Sequence, residues 1–464
     1  MVRQRSAVVV VRDPVHGDIE LTREELRVVD TAAFQRLRGI KQLGTAYLVY
    51  PGAMHTRFEH ALGTVHVMDR LLDASNKNAE RDPAGCHRVS DDERRILRIA
   101  ALLHDVTHIP FGHNLEDQTG LLERHDEPWR FEAMLGDGGC FDGELGAVLR
   151  ELGIQRELLA VLAGRGLEVP PFWRQVLSDT IDADLLDYLR RDAYFTGLEL
   201  RYDQRVREYF RIDRRSQRWF VDCEKQGMLR EDIASELLRL LEIRYHFSER
   251  VYYHHAKIAA GALVARMVEL ALRAGALTPA ELQTATDESL LFRLEALGNS
   301  SLGGLEPDQR ARLRRFMAAF RRRRLLKRVI VLPAYLNAGV QDLLLETWFR
   351  RGAPEARYEW EAEVEREAKR VLGRDLDVVM YCPARRMQLK EARTLVRFPG
   401  TEGAIEPLET YVDSVPRLRD LRDSYPRLWK LYVFTSEPEL EARRRLQQIC
   451  LERLPAGVVN ALRL

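Results

Sequence analysis

Residues 89–108 read VSDDERRILRIAALLHDVTH, and no other stretch constrains the chain as strongly. Ser90 with Glu93 three residues on is a capping box, in which each side chain satisfies an orphan backbone donor at a helix start. Ile96, Leu97, Ile99, Ala100, Leu102 and Leu103 follow, giving a helix that is apolar on most faces. Such a helix is buried. Its carboxyl end carries His104 and Asp105. Two polar groups therefore enter the interior of a domain, where an unpaired one costs about 1–3 kcal/mol. They need partners there.

The other histidines supply candidates. Eight of the twelve fall between His55 and His125, where an even spread would place roughly two. Imidazole is the commonest metal ligand and the commonest acid or base near neutral pH, so the crowding points to a site. A second helix starts at Thr56, with Glu59 completing another capping box and His60 in the first turn. A third runs through SDTIDADLLDYLRRDAYFTG, residues 178–197, toward a C-cap at Gly197. On it Asp184, Tyr188 and Asp192 share a face. A fourth covers about 232–274, with Arg244 and Tyr252 on one face.

His60 and Asp184 could complete a four-ligand set with His104 and Asp105. A mixed histidine and carboxylate set suits one divalent cation, Fe, Mn, Zn, Ni or Mg. Such a cation makes water nucleophilic and polarises a phosphoryl group. A second tier comprises His108, His113 and His125, with Glu116 three residues after His113. With Arg57 and Arg244 these could neutralise a polyphosphate. Taken singly, each is more often a satisfied surface or core residue.

Beyond about residue 330 the texture changes to short β-like runs: VIVLPAY, DLDVVMYCPA, TLVRFPG and LWKLYVFTS. The reading is a mainly α core over residues 1–330 and a smaller α+β carboxy-terminal domain over 331–464. Lys+Arg of 72 against Asp+Glu of 71 leaves a net charge of +1, so a chain-wide nucleic-acid footprint is absent. One basic stretch, RARLRRFMAAFRRRRLLKR at 310–328, keeps a nucleic-acid-binding alternative open. The five cysteines form no CxxC pair, and no apolar run reaches the roughly 18 residues of a membrane span. A cytoplasmic protein without membrane contact is expected.

Residues 12–113, RDPVHGDIEL…FQRLRGIKQLGTAYLVYPGAMHTRFEHALGT…HDVTHIPFGH, closely resemble the HD-domain deoxynucleoside triphosphate triphosphohydrolases. The resemblance continues through DADLLDYLRRD and SERVYYHH to about residue 330. It implies an HD-domain helical core that hydrolyses a dNTP to deoxynucleoside and inorganic triphosphate. The family's metal ligands fall on His60, His104, Asp105 and Asp184. Its triphosphate-binding and acid–base histidines fall on His108, His113 and His125, with Glu116 as the orienting acid. Phosphate-binding arginines fall on Arg57 and Arg244, and sugar recognition on Gln42, Leu43, Tyr188, Asp192 and Tyr252. The resemblance also implies a guanine nucleotide activator read by Asp30, Gln35 and Arg38 at a subunit interface of a homo-oligomer, dimer or tetramer. The sequence departs from the family at Leu185, a lysine there, at Glu116, an aspartate there, and at Thr107, a glycine there. These departures leave room for another nucleotide, such as a monophosphate or signalling nucleotide.

Overall fold

The computed structural model describes residues 9–116, 121–300, 304–350, 354–383, 387, 389–400 and 403–464. The architecture is mainly helical, with small sheets at its edges. Its spine is the helix Arg57–Arg81, which packs against the buried helix Asp91–Leu103 and the helix Ala183–Thr196. Both capping boxes form, at Thr56 with Glu59 and at Ser90 with Glu93. Leu97, Ile99, Ala100, Ala101, Leu102 and Leu103 are all buried, so the apolar helix sits in the interior as its composition requires.

The third helix begins at Ala183 rather than at residue 178. Asp182 caps it, its Oδ1 accepting from the Leu185 N–H at 2.8 Å, and Gly197 ends it with φ of 72°. The stretch expected as one helix over 232–274 is two, Glu231–Phe247 and His255–Arg273, joined by a π-helical turn at Ser248–Tyr252. Two local hydrogen bonds account for the break. The Ser248 hydroxyl donates to Arg244 O at 3.0 Å, and His254 Nδ1 accepts from the Ala256 N–H at 3.3 Å to start a new helix.

Strands also occur where helix was expected. Phe210–Ile212 and Trp219–Asp222 pair antiparallel, and Glu224–Lys225 pairs with Met228–Leu229. At the amino end Val9–Asp13 and Gly17–Leu21 form a hairpin in register Val9↔Leu21. The four carboxy-terminal β-like runs are all strands. Lys430–Thr435 is the middle of a three-stranded sheet, between Lys327–Pro333 and Val378–Tyr381. Leu395–Arg397 instead pairs parallel with Trp219–Asp222, so one sheet draws on both parts of the chain. Tyr381 reaches back further still, its hydroxyl donating to Asn114 O at 2.9 Å, beside His113.

Of the basic stretch 310–328, expected as one helix, only the part up to Arg321 is helical, in Pro307–Arg321, while Lys327 and Arg328 begin the strand Lys327–Pro333. Arg312 and Arg315 pair with Asp377, Arg312 also with Glu365, and Arg321 with Glu288 and Glu295. Three of its arginines are thus met by acids of its own chain, while Arg322, Arg323 and Arg324 beyond the helix are exposed. All five cysteines are unbridged. Among the described residues no helix is long and apolar enough to cross a membrane.

Candidate metal centre and its cavity

Three helices deliver one ligand atom each to a common point. His60 lies in the first turn of Arg57–Arg81, His104 caps the end of Asp91–Leu103, and Asp184 lies in the first turn of Ala183–Thr196. His60 Nε2 is 3.1 Å from His104 Nε2 and 2.9 Å from Asp184 Oδ1. His104 Nε2 is 3.6 Å from the same oxygen. Ligands bonded at about 2.0–2.2 Å around one metal stand about that far apart.

The tautomers make the argument sharper. His104 Nδ1 faces Ala101 O at 2.8 Å, and a carbonyl can only accept, so Nδ1 carries the hydrogen. His60 Nδ1 faces Asp187 Oδ2 at 2.7 Å, which places its hydrogen there too. The two Nε2 lone pairs then confront each other and a carboxylate, an arrangement that calls for a cation between them. The residues fit a divalent metal. Burial works against charge on His60, but Asp184 and Asp187 raise its pKa to about 10. His104 is raised as well, burial being outweighed by Asp105 and Asp184. Burial would raise Asp184, yet His104 and His60 hold it well below the usual carboxylate range. The pocket is electronegative and attracts positive charge.

Asp105 stands at the edge of this group. Its Oδ2 is 3.7 Å from His60 Nε2 and accepts from Arg57 Nη1, while Oδ1 is 3.6 Å from His104 Nε2 and 3.2 Å from His108 Nε2. Against burial, Arg57 and the histidines keep it ionised. Glycine at residue 112 leaves room for Arg57: a Cβ there would lie 2.8 Å from Nη2, and one of the two would have to shift.

The second histidine group has a different geometry. His108 and His125 stack with centroids 3.5 Å apart and planes 21° apart, and His113 meets both edge-on. Their nitrogens lie within 4.8 Å of one another. Imidazole lone pairs lie in the ring plane, however, so those of stacked rings run side by side and do not meet at one ion. Burial and Arg57 push His108 down to about 3. Glu116 is buried beneath, and although burial opposes it, His108 and His125 hold it well below the usual range. The expected Glu116–His113 pairing is shifted: Glu116 Oε2 bonds His125 Nδ1 at 2.9 Å and lies 3.6 Å from His113 Nδ1. Thr107 Oγ1 donates to His125 O at 2.8 Å, so the residue in place of the family glycine also holds this histidine.

Both groups open into one cavity of about 820 Å³. Gln42, Leu43, Tyr188, Asp192, Arg244 and Tyr252 line it too. The Arg244 guanidinium lies 5.2 Å from the Tyr188 ring and 5.3 Å from the Tyr252 ring, despite the helix break between Arg244 and Tyr252. Asp192 accepts from the Tyr252 hydroxyl at 2.7 Å and meets His55 Nε2 at 2.9 Å. Gln42 Oε1 is buried and has no hydrogen-bond partner among the described residues. Leu185, buried and apolar, lines the cavity where the family has its lysine. Asp30, Gln35 and Arg38 lie outside the cavity, at the surface or partly buried, with Arg38 Nε donating to Gln35 Oε1 at 2.8 Å.

The sequence reading missed four residues behind the ligands: Asp13, His16, Asp187 and Arg191. The i, i+3 and i+4 steps from Asp184 to Asp187 to Arg191 were a signal for two of them. It also missed His55, which holds Asp192, and the carboxy-terminal wall formed by Tyr381, Pro383 and Lys390.

Comparison with known proteins agrees with this geometry. The HD domain family model matches residues 57–136. The uncharacterized protein YwfO of Bacillus subtilis is 32% identical over 269 residues, 56% of this chain and 55% of its own. The deoxynucleoside triphosphate triphosphohydrolase SAMHD1 of Homo sapiens is 30% identical over 271 residues, 53% of this chain and 42% of its own. The chain spans about half the length of the curated relatives it matches. A phosphohydrolase of Bacteroides thetaiotaomicron superposes with a TM-score of 0.61 at 19% identity, over 93% of this chain and 100% of that one. A hypothetical protein of Aquifex aeolicus does so with a TM-score of 0.63 at 20% identity, over 95% and 100%. These two likenesses establish a common fold. The match to the HD domain family model begins in the first turn of the long helix at Arg57 and runs through the His104–Asp105 pair to residue 136.

Proposed function

We propose that the chain is a metal-dependent phosphohydrolase that cleaves deoxynucleoside triphosphates to deoxynucleoside and inorganic triphosphate. One observation carries this reading. A single cavity joins the convergent His60–His104–Asp184 set to a histidine and arginine group suited to anions, and to the polar side chains of Gln42 and Asp192. Charge of both signs in one cavity is what a nucleotide and its cation require together.

A divalent cation held by His60, His104 and Asp184, with Asp105 beside them, supplies the Lewis acidity that activates water and polarises the phosphate. The remaining roles belong to side chains. Arg57 and Arg244 neutralise the triphosphate, and His108 and His125 hydrogen-bond to it and hold it for in-line displacement. Water oxygen bonds to the α-phosphorus, the bond to O5′ breaks and His113 gives O5′ its proton, while the proton the water sheds passes to solvent, from which His113 is reprotonated. Gln42 and Asp192 take the 3′-hydroxyl, while Leu43 and Tyr252 crowd the 2′ carbon. A site built to bond one hydroxyl rejects analogues lacking it more strongly than a wall rejects an added one.

Incubation with each dNTP and NTP plus Mn²⁺, with products resolved, tests the reading. Nucleoside and triphosphate are expected from dNTPs. Monophosphate products, or turnover of a different nucleotide alone, would replace it with another HD phosphohydrolase activity. The pairing of Arg312, Arg315 and Arg321 with acids weighs against nucleic-acid binding, and a gel shift that weakens with rising salt would reverse that judgement. Activation by GTP through Asp30, Gln35 and Arg38, with homo-oligomer assembly, belongs to the same proposal. It fails if full dATP hydrolysis needs no guanine nucleotide and light scattering shows no change of mass on adding one.

A further inference from the structure

Asp187 is fully buried, lies outside the cavity wall, and receives more hydrogen bonds than any carboxylate in the site. His60 Nδ1 is 2.7 Å from its Oδ2, and His16 Nε2 is 2.6 Å from its Oδ1. Arg191 donates Nε to Oδ2 at 2.8 Å and Nη2 to Oδ1 at 3.0 Å. Four donors fill the roughly four acceptor positions of a carboxylate. Arg191 Nη1 then continues to Asp13 Oδ2 at 2.7 Å. The other oxygen of Asp13 accepts from the Val15 and His16 N–H groups, at 2.9 and 2.8 Å, and so shapes the hairpin turn that carries His16. The His16 ring stacks on His66 at 4.8 Å.

The surroundings are built to admit this network. A Cβ at residue 63, one turn beyond His60, would stand 2.0 Å from Asp187 Oδ1 and 2.1 Å from Arg191 Nη2. Only glycine lets the two helices close to that distance. The side chains of His16, Asp187 and Arg191 are 1%, 0% and 0% exposed, and none lines the cavity, so none can touch a substrate. What they touch is the far side of a metal-facing imidazole.

We propose that Asp13, His16, Asp187 and Arg191 form a positioning unit through which the amino-terminal hairpin holds His60 in its metal-binding orientation and tautomer. Asp187 takes the Nδ1 hydrogen, which leaves the Nε2 lone pair for the metal and makes it more basic. His16 and Arg191 hold Asp187 still, and Asp13 ties Arg191 to the hairpin Val9–Leu21. Outer partners of this kind are typically worth about 10–100-fold in metal affinity. The inference rests on the metal-site reading above. It adds that metal retention depends on a hairpin that contributes no ligand.

The test uses full-length protein stripped with chelator and titrated with Mn²⁺ by calorimetry, and with Co²⁺ by its visible absorption. Asp187→Asn is expected to weaken Mn²⁺ binding about 10–100-fold. His16→Phe, which removes the donor but no ligand, should weaken it by a smaller factor, and His16→Gln, which restores a donor, should recover most of the loss. Thermal melting in chelator separates this from general destabilisation, since a purely structural role would lower the melting point of every variant and leave the affinity of the folded protein unchanged. His104→Ala is the control. If the parent binds Mn²⁺, His104→Ala does not, and the His16 and Asp187 variants bind within twofold of the parent, the positioning unit is wrong and the metal site stands. If the parent binds no Mn²⁺ or Co²⁺, or His104→Ala binds as well as the parent, both are wrong. Should Asp187→Asn fail to fold, the two His16 variants decide alone.

Discussion

The molecule holds two histidine groups side by side, and they are opposites. At the His60–His104–Asp184 end, two imidazole nitrogens and a carboxylate oxygen point at one another, and acids raise His60 to about 10. At the His108–His113–His125 end, two rings are stacked, and burial with Arg57 lowers His108 to about 3. The first group wants a cation. The second, with His108 neutral and Arg57 at its border, is the group proposed to meet the phosphate oxygens. The residue type is the same; ring orientation and the sign of the nearest fixed charge decide what it does.

The largest expected effect is at the first group. His104→Ala should abolish bound metal by elemental analysis and lower hydrolysis by more than the roughly 10–100-fold typical of losing an outer partner. Retained metal would erase the contrast between the groups. Next, His113→Ala should keep the metal and lower turnover about 10²–10⁴-fold, the usual worth of a general acid. Turnover at the parent rate would move the acid to His125, which Glu116 holds directly at 2.9 Å.

The smallest effects are in pH dependence, where the two groups have opposite signs. His60 is raised from 6.5 to about 10, so its contribution to metal-free stability is complete below pH 6.5 and is lost as pH rises toward about 10. Melting in chelator should show that decline, and Mn²⁺, taking the proton's place, should flatten it. His108 is lowered from 6.5 to about 3, so its contribution is present above pH 6.5 and is lost as pH falls toward about 3. Substitution His108→Gln should therefore reduce the acid-side loss and leave the alkaline decline intact. If both limbs respond to the same substitution, the groups titrate as one and the comparison fails. A last consequence is proton release on metal binding near neutral pH, visible as a dependence of the binding heat on the ionisation enthalpy of the buffer.

Much of this was written in local sequence. Capping boxes at Thr56 and Ser90, the apolar run from Ile96 to Leu103 and the glycine stop at Gly197 act over a few residues, and they set the helices that carry His60, His104 and Asp184. The i, i+4, i+8 spacing of Asp184, Tyr188 and Asp192 likewise guaranteed a shared face, because helix geometry needs nothing beyond itself. What depended on distant partners could not be read that way. Glu116 bonds His125 rather than the nearer-in-sequence His113, and the His125 ring is stacked on His108, a pairing set by packing and not by spacing. The helix expected over 232–274 broke where Ser248 and His254 found other bonds, one of them to Tyr425 from the far end of the chain. The strand Leu395–Arg397 joined a sheet begun some 170 residues earlier, at Trp219–Asp222. Asp187 met His16 across 171 positions. Side-chain periodicity reports which face a residue occupies, whereas the identity of the neighbour across that face, the direction of a ring plane and the charge that shifts a pKa arise only when separate segments pack together.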